Sequence, residues 1–319
     1  RALLTTYFTP AIAADRAGLD RIFCVVTDAD INRVWAPLDP RSSRLTYLVP
    51  SRRAGRRLEA YGVPRERIRY TGFPLPHGLV GGPGLGRLRR NLAARLVRRD
   101  PTGAFREQLG DEIEQSLGPV PVEEEGRPPL VVFAVGGAGA QAELARRFLP
   151  GLRDPVVSGR IRLALVAGVR REVARRFGAW LADHGMEREL GRSVEVVCED
   201  DVRRYMVRYH ALLSGADVLW TKPSEMTFFG ALGIPLVFSR PVGEHERFNR
   251  RWAMQHGAGL EQGAPRDAAG WMGEWLRDGT LARAAWAGYV HLPKSGLYRI
   301  LEEVGCPVYD NPTAPGPRS

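Results

Sequence analysis

Short β-branched and apolar runs alternate along the chain with longer stretches whose apolar positions recur at helical spacing, the pattern of parallel strands covered by helices. Strand-like runs are RIFCVVTD (21–28), RIRY (67–70), LVVFAV (130–135), RLALVAG (162–168), SVEVVC (193–198), DVLWTK (217–222) and PLVFS (235–239). Helical spacing predicts helices over 51–61, about 140–153, 170–184, 201–214 and 225–232, then over 249–256, 268–277 and 281–290. Five strands from residue 130 onward, separated by helices, predict a doubly wound, Rossmann-like domain.

Punctuation divides the chain. Residues 78–99 run from a glycine-rich loop into an arginine-rich helix, and PVPVEEEGRPP (119–129) has the composition of a linker. The expected organisation is a first αβ domain over 1–122, a second over 123–300 and a Pro/Gly-rich tail over 301–319. Arg1 is no initiator methionine and stands directly before a strand-like stretch, so the first domain is expected to be incomplete at its amino end.

At 319 residues with 44% hydrophobic and 26% charged content, the chain has material for two cores and is neither disordered nor collagen-like. Cys24, Cys198 and Cys306 form no CxxC and no zinc spacing, which fits a reducing cytoplasm and excludes a disulfide framework. No apolar run approaches the roughly 20 residues a membrane span needs, so any membrane contact is peripheral.

Charge adds a second theme. The net charge is +10, and of 46 basic residues only Lys222 and Lys294 are lysines. Arg52, Arg53, Arg56 and Arg57 share one helix face, and Arg87, Arg89, Arg90, Arg95, Arg98 and Arg99 follow the glycine-rich loop. Such faces are either solvated helix surfaces or docking sites for an anionic membrane, through segments 51–61 and 87–99. Without interleaved aromatics they do not suit single-stranded nucleic acid.

Ligands of open parallel sheets bind beyond the carboxyl ends of the strands, and three polar motifs stand there. Gly136-Gly137-Ala138-Gly139-Ala140-Gln141 follows LVVFAV; small residues and a helix N-terminus accommodate a phosphate, or serve tight packing alone. Thr221-Lys222-Pro223-Ser224-Glu225-Met226-Thr227 follows DVLW and holds a lysine, with Ser224 and Glu225 suited to cap a helix or to meet a ligand. Pro241-Val242-Gly243-Glu244-His245-Glu246-Arg247-Phe248-Asn249 follows PLVFS and is rich in groups able to bind sugar hydroxyls.

In order and spacing these motifs resemble the GT-B glycosyltransferases related to bacterial MurG and to the enzymes that make monogalactosyl- and monoglucosyl-diacylglycerol. The relevant stretches are KPSEMTFFGALGIP (222–235), PVGEHERFN (241–249) and GAGL (257–260), with VTDADINRVWAP (26–37) and YLVPSRRAGRRLEAYGVPRERIRYTGFPL (47–75) upstream. The resemblance implies two Rossmann-like domains and a cytoplasmic transferase, peripheral on the inner membrane face, that takes a sugar from a nucleotide diphosphate, UDP above all, without a metal or other cofactor. It implies that Gly136, Gly137 and Gly139 line the diphosphate, and that Lys222, Pro223, Ser224 and Thr227 form the nucleotide-sugar loop. Gly243, His245, Glu246 and Asn249 fall on the sugar-contacting stretch.

Departures are equally specific. The double glycine of the family is Ser224-Glu225 here, and the ribose-gripping glutamate falls on Gly230, which leaves Glu225 as its substitute. Asp28, after the first strand run, is the candidate base or acceptor-positioning group; a loop cap or an ion pair with Arg33 is the alternative. Other outcomes consistent with the resemblance are a sugar-nucleotide epimerase and a binding protein without turnover.

Overall fold

A computed structural model describes residues 2–119, 127–135, 139 and 141–306. Two compact units divide it: residues 1–85 together with 293–319, and residues 86–292. The architecture is GT-B, α/β with a parallel sheet in each unit.

In the first unit β1 (Ala2–Thr5), β2 (Arg21–Val25), β3 (Leu45–Val49) and β4 (Ile68–Tyr70) lie side by side in chain order, all parallel. Alternation along the strands sends Ile22, Cys24, Leu45, Tyr47 and Val49 to one face, where Ala54 and Leu58 of the helix Arg52–Ala60 cover them. Burial pushes the Cys24 thiol up to about 12, which makes it an inert packing residue. Ser51 caps that helix, accepting a hydrogen bond from Ala54 N (3.0 Å).

Phe23, Val25 and Leu48 face the other way and pack on Ile300, with Val304 beside them, from the helix Gly296–Val304. Residues 301–304, expected in a tail, are therefore structured. Gly296 allows this seat, because a Cβ there would overlap the Phe73 carbonyl.

Six strands form the sheet of the second unit, one more than the pattern predicts: β5 (Leu130–Ala134), β6 (Arg162–Gly168), β7 (Val194–Cys198), β8 (Val218–Thr221), β9 (Leu236–Phe238) and the short β10 (Gly259–Glu261). They are parallel in the order β10-β9-β8-β5-β6-β7. Counted within the unit this is 6-5-4-1-2-3, the doubly wound arrangement of dinucleotide-binding folds. Phe133, Phe148, Trp220 and Trp271 meet in its core, with Phe148 stacked on Trp220 at 4.4 Å.

The helix Gly86–Arg99 belongs to this second unit, so the division falls at residue 85 and not near 122. Leu88, Leu92 and Leu96 are buried, and Leu92 lies against Gly233, where a Cβ would come within 2.6 Å.

Burial also changes the meaning of its arginines. Arg95 is 2%, Arg98 4% and Arg99 0% exposed, so this turn cannot be the basic membrane face expected for 87–99. Arg95 donates to Leu213 O (2.6 Å), Ser214 O (2.7 Å) and Leu232 O (3.1 Å), and Arg99 to Gly233 O (2.7 Å) and Ala216 O (3.3 Å). Those carbonyls belong to the last turns and C-caps of the helix Val202–Gly215 and the 3-10 helix Glu225–Leu232, where helix ends leave carbonyls without intrahelical donors.

Among the described residues one carboxylate meets the cluster. Asp217, fully buried, accepts from Arg98 Nε (3.1 Å), Arg127 Nη1 (3.0 Å) and Leu130 N (2.9 Å). Desolvation lowers the affinity of Arg95 and Arg99 for their protons, to about 10 for Arg95. Arg87, Arg89 and Arg90 stay exposed.

In the other cluster, Arg53 and Arg57 converge on Asp30, which is 1% exposed, at 2.6 and 2.9 Å. Burial opposes ionisation of Asp30, but both guanidinium groups and Ile31 N outweigh it and hold the carboxyl below its ordinary value. Of the four arginines on that helix, Arg52 and Arg56 are the exposed ones. No helix among the described residues is long and apolar enough to cross a membrane.

Candidate functional site

Connections leave β5 toward β6 on one side and β8 toward β9 on the other, so the carboxyl ends of the adjacent strands β5 and β8 mark the point where the winding reverses. In open parallel sheets such a reversal point is the usual ligand position. The three polar motifs all emerge on this edge.

Gly136 and Gly137 lie outside the described residues. Gly139 has φ +69°, and a Cβ on it would sit 3.2 Å from Arg170 Cδ and 3.3 Å from Val173 Cγ2, so both backbone hand and space require glycine. Gln141 also takes a left-handed φ, +68°, which is uncommon for a side chain of its size. Its amide donates to Arg240 O (2.7 Å) and accepts from Ser239 Oγ, tying the loop after β5 to the loop after β9. The sequence motif contained Gln141 but gave no reason to single it out, since its partners lie about 98 residues away.

Lys222 follows β8 directly. Its Nζ is 2.7 Å from Oε1 of Glu246, which is 2% exposed and stands in the first turn of the helix Glu244–Gln255. Glu246 Oε2 accepts from Val242 N (2.7 Å), and Gly243 N also bonds the carboxylate. Gly243 is the N-cap, so Glu246 reaches back from the third helical position as in a capping box. Burial disfavours its charge, yet Lys222 and the two backbone N–H groups outweigh burial, and the carboxyl titrates below its ordinary value.

The remaining motif residues divide by exposure. Pro223 and Ser224 are buried, and Ser224 Oγ accepts from Met226 N (3.4 Å) as N-cap of the 3-10 helix. Thr227 is fully buried and its Oγ1 has no hydrogen-bond partner. Asn249 is buried. Glu225 is exposed, and its charge raises the proton affinity of Tyr205 and Tyr209 in addition to the larger effect of their burial. His245 is 58% exposed and 4.0 Å from Glu246 Oε1, at the edge of the cluster.

Gly230 leaves little room for a ribose-binding side chain. A Cβ there would come within 3.0 Å of Leu292 Cδ1 and 3.1 Å of Leu236 Cδ1. The carbonyl of Gly230 in turn overlaps the place where a Cβ of Gly288 would stand. The 3-10 winding of 225–232, where an ordinary helix was expected, accompanies burial of every residue from Met226 to Leu232.

In the first unit Asp28 is half-buried after β2. Arg33 donates to Ala36 O (2.7 Å) and Pro37 O (3.0 Å). Among the described residues no group of three or more His, Cys, Asp or Glu side chains could hold a metal ion.

The second unit thus offers a fixed ammonium, a strand-to-helix turn with left-handed backbone and two helix starts at one sheet edge, a combination able to hold an anion. Residues 120–298 match the family model described as "Domain of unknown function (DUF6938)". No curated protein sequence matches the chain. Solved structures do share its fold. A Listeria monocytogenes chain designated a UDP-N-acetylglucosamine 2-epimerase is 14% identical with a TM-score of 0.57, over 95% of this chain and 73% of that one. Staphylococcus aureus MnaA, solved with UDP, is 11% identical with a TM-score of 0.57, over 95% and 74%. The UDP-GlcNAc 2-epimerase of Neisseria meningitidis, solved with UDP-GlcNAc, is 11% identical with a TM-score of 0.55, over 94% and 74%.

Proposed function

The chain belongs to the DUF6938 family, and for it we propose a metal-independent glycosyltransferase that takes a sugar from a UDP-sugar. One observation carries this: Lys222, at the carboxyl end of β8 beside the winding reversal, is held at 2.7 Å by the buried Glu246. A clamped ammonium next to helix N-termini offsets the charge of a diphosphate leaving group without a metal.

In this scheme Gly136, Gly137 and Gly139 border the diphosphate, and Pro223, Ser224 and Thr227 shape the loop around the donor. Glu225 reaches the ribose hydroxyls in place of Gly230. Glu246 positions Lys222, with Gly243, His245 and Asn249 on the sugar side. Asp28 serves as base or positions the acceptor. The acceptor is a lipid or other molecule at the inner face of an anionic membrane, met by the exposed Arg52, Arg56, Arg87, Arg89 and Arg90.

A second chemistry, epimerisation of the UDP-sugar, is supported by the fold shared with the UDP-GlcNAc 2-epimerases. Calorimetric titration with UDP tests what the two have in common: saturable binding that Lys222→Ala weakens by about tenfold or more is expected, and absence of binding by the native chain refutes both. UDP-GlcNAc in deuterated buffer then separates them. Epimerisation at C2 breaks a C–H bond and introduces solvent deuterium there, whereas transfer releases UDP without it.

A further inference from the structure

We propose that the second unit carries another ligand site, for a small amphipathic carboxylate, at the end of the sheet opposite Lys222. A cavity of about 260 Å³ opens between the helices Glu143–Val157 and Ala268–Arg277. Ile161, one of its walls, immediately precedes β6, which puts the cavity toward the amino end of that strand.

Its walls are apolar. Leu152, Ile161 and Met272 are 0%, 5% and 2% exposed, and Leu276 is half-buried. Two exposed guanidinium groups, Arg160 and Arg277, complete the lining. Arg160 Nε is oriented by Ser158 Oγ at 3.0 Å, and neither arginine is ion-paired among the described residues. That sets them apart from Arg53, Arg57, Arg98 and Arg127, each of which holds a carboxylate.

The helix bordering the cavity has a glycine in its interior, Gly273, where glycine weakens a helix relative to alanine. A Cβ on Gly273 would stand 3.3 Å from Arg277 Nη1, so the missing side chain keeps open the space between the apolar floor and this guanidinium. An apolar pocket with a few convergent polar groups is the usual form of a small-molecule site. Its size, near the lower limit of about 300 Å³ for such sites, selects a short chain or a single ring. The floor takes the apolar body and the unpaired arginines take the carboxylate, for which the guanidinium fork is matched.

Octanoate serves as the probe, with octanol and octylammonium as neutral and cationic counterparts, each titrated calorimetrically into the full chain. One equivalent of octanoate is expected to bind, about tenfold more tightly than octanol, with octylammonium weakest. Arg160→Gln/Arg277→Gln, both changes at the surface, is expected to remove that tenfold preference while leaving the melting temperature and UDP titration unaltered. Gly273→Met, which fills the cavity from a helical position, is expected to abolish octanoate binding. No saturable octanoate binding, equal affinity for octanol, or native octanoate affinity in the double arginine variant would each overturn the proposal.

Discussion

Replacing Asp217 by asparagine tests whether the arginines of Gly86–Arg99 are internal struts. The substitution keeps shape and removes one charge from a fully buried site that receives Arg98 Nε at 3.1 Å, Arg127 Nη1 at 3.0 Å and Leu130 N at 2.9 Å. Arg99 Nε lies 4.0 Å from the same carboxylate. Without it, buried Arg95 and Arg99 are left with carbonyl oxygens among the described residues to offset their charge. Removing one partner of a buried ion pair costs about 3–5 kcal/mol because the other stays desolvated and unpaired. Arg127 is 26% exposed and relaxes toward water, which favours the lower half of that range. For a unit spanning residues 86–292 the cost corresponds to a fall of about 6–20 °C in Tm.

Urea denaturation followed by circular dichroism measures the loss, and a cycle with Arg98→Gln measures the coupling. The double variant is expected to lose less than the sum of the single losses by about 1–3 kcal/mol, since it removes a charge of each sign. If Asp217→Asn costs under about 1 kcal/mol, or the two losses add, the strut assignment fails and these arginines regain the surface role.

Three further outcomes are expected. Folded Glu246 stays ionised to lower pH than its ordinary value of 4.5, so unfolding takes up a proton between the two values. Its contribution is therefore complete above 4.5 and disappears as pH falls through the lower folded value; the difference in urea midpoint between the native chain and Glu246→Gln should shrink over that acidic range, and a constant difference would refute the assignment. Gly288→Ala, whose methyl would overlap the Gly230 carbonyl, should lower stability by about 1–3 kcal/mol in calorimetry. Vesicles with anionic lipid should bind the chain at low salt and release it at high salt, with about 1 kcal/mol lost for each of Arg52→Gln and Arg56→Gln; unchanged binding in that pair of variants removes the helix from the membrane contact.

The sheet of the second unit was largely legible in the chain because its strands are buried on both faces and read as unbroken apolar runs, such as LVVFA and RLALVAG. β10 was hidden, being three residues of which only Gly259 is buried. Lys222 and Glu246 stood out as motif members, but their contact joins residues 24 apart and is visible only in three dimensions. The arginines misled most. Residues 87–99 read as a basic surface helix because guanidinium groups are rarely buried, and nothing local reveals carbonyl partners 117 to 137 residues away.

The helix Gly296–Val304 covers Phe23, Val25 and Leu48, residues synthesised some 270 positions earlier, with the whole second unit in between. On the ribosome, at about 5–20 residues per second, the inserted unit can finish folding while one face of the first unit's sheet still waits for its cover. For those seconds the nascent chain displays an apolar surface that the finished protein conceals. Its yield in the cell should therefore depend on chaperones that shield this face, and a stop codon just before residue 296 should trap the chain in that adhesive state.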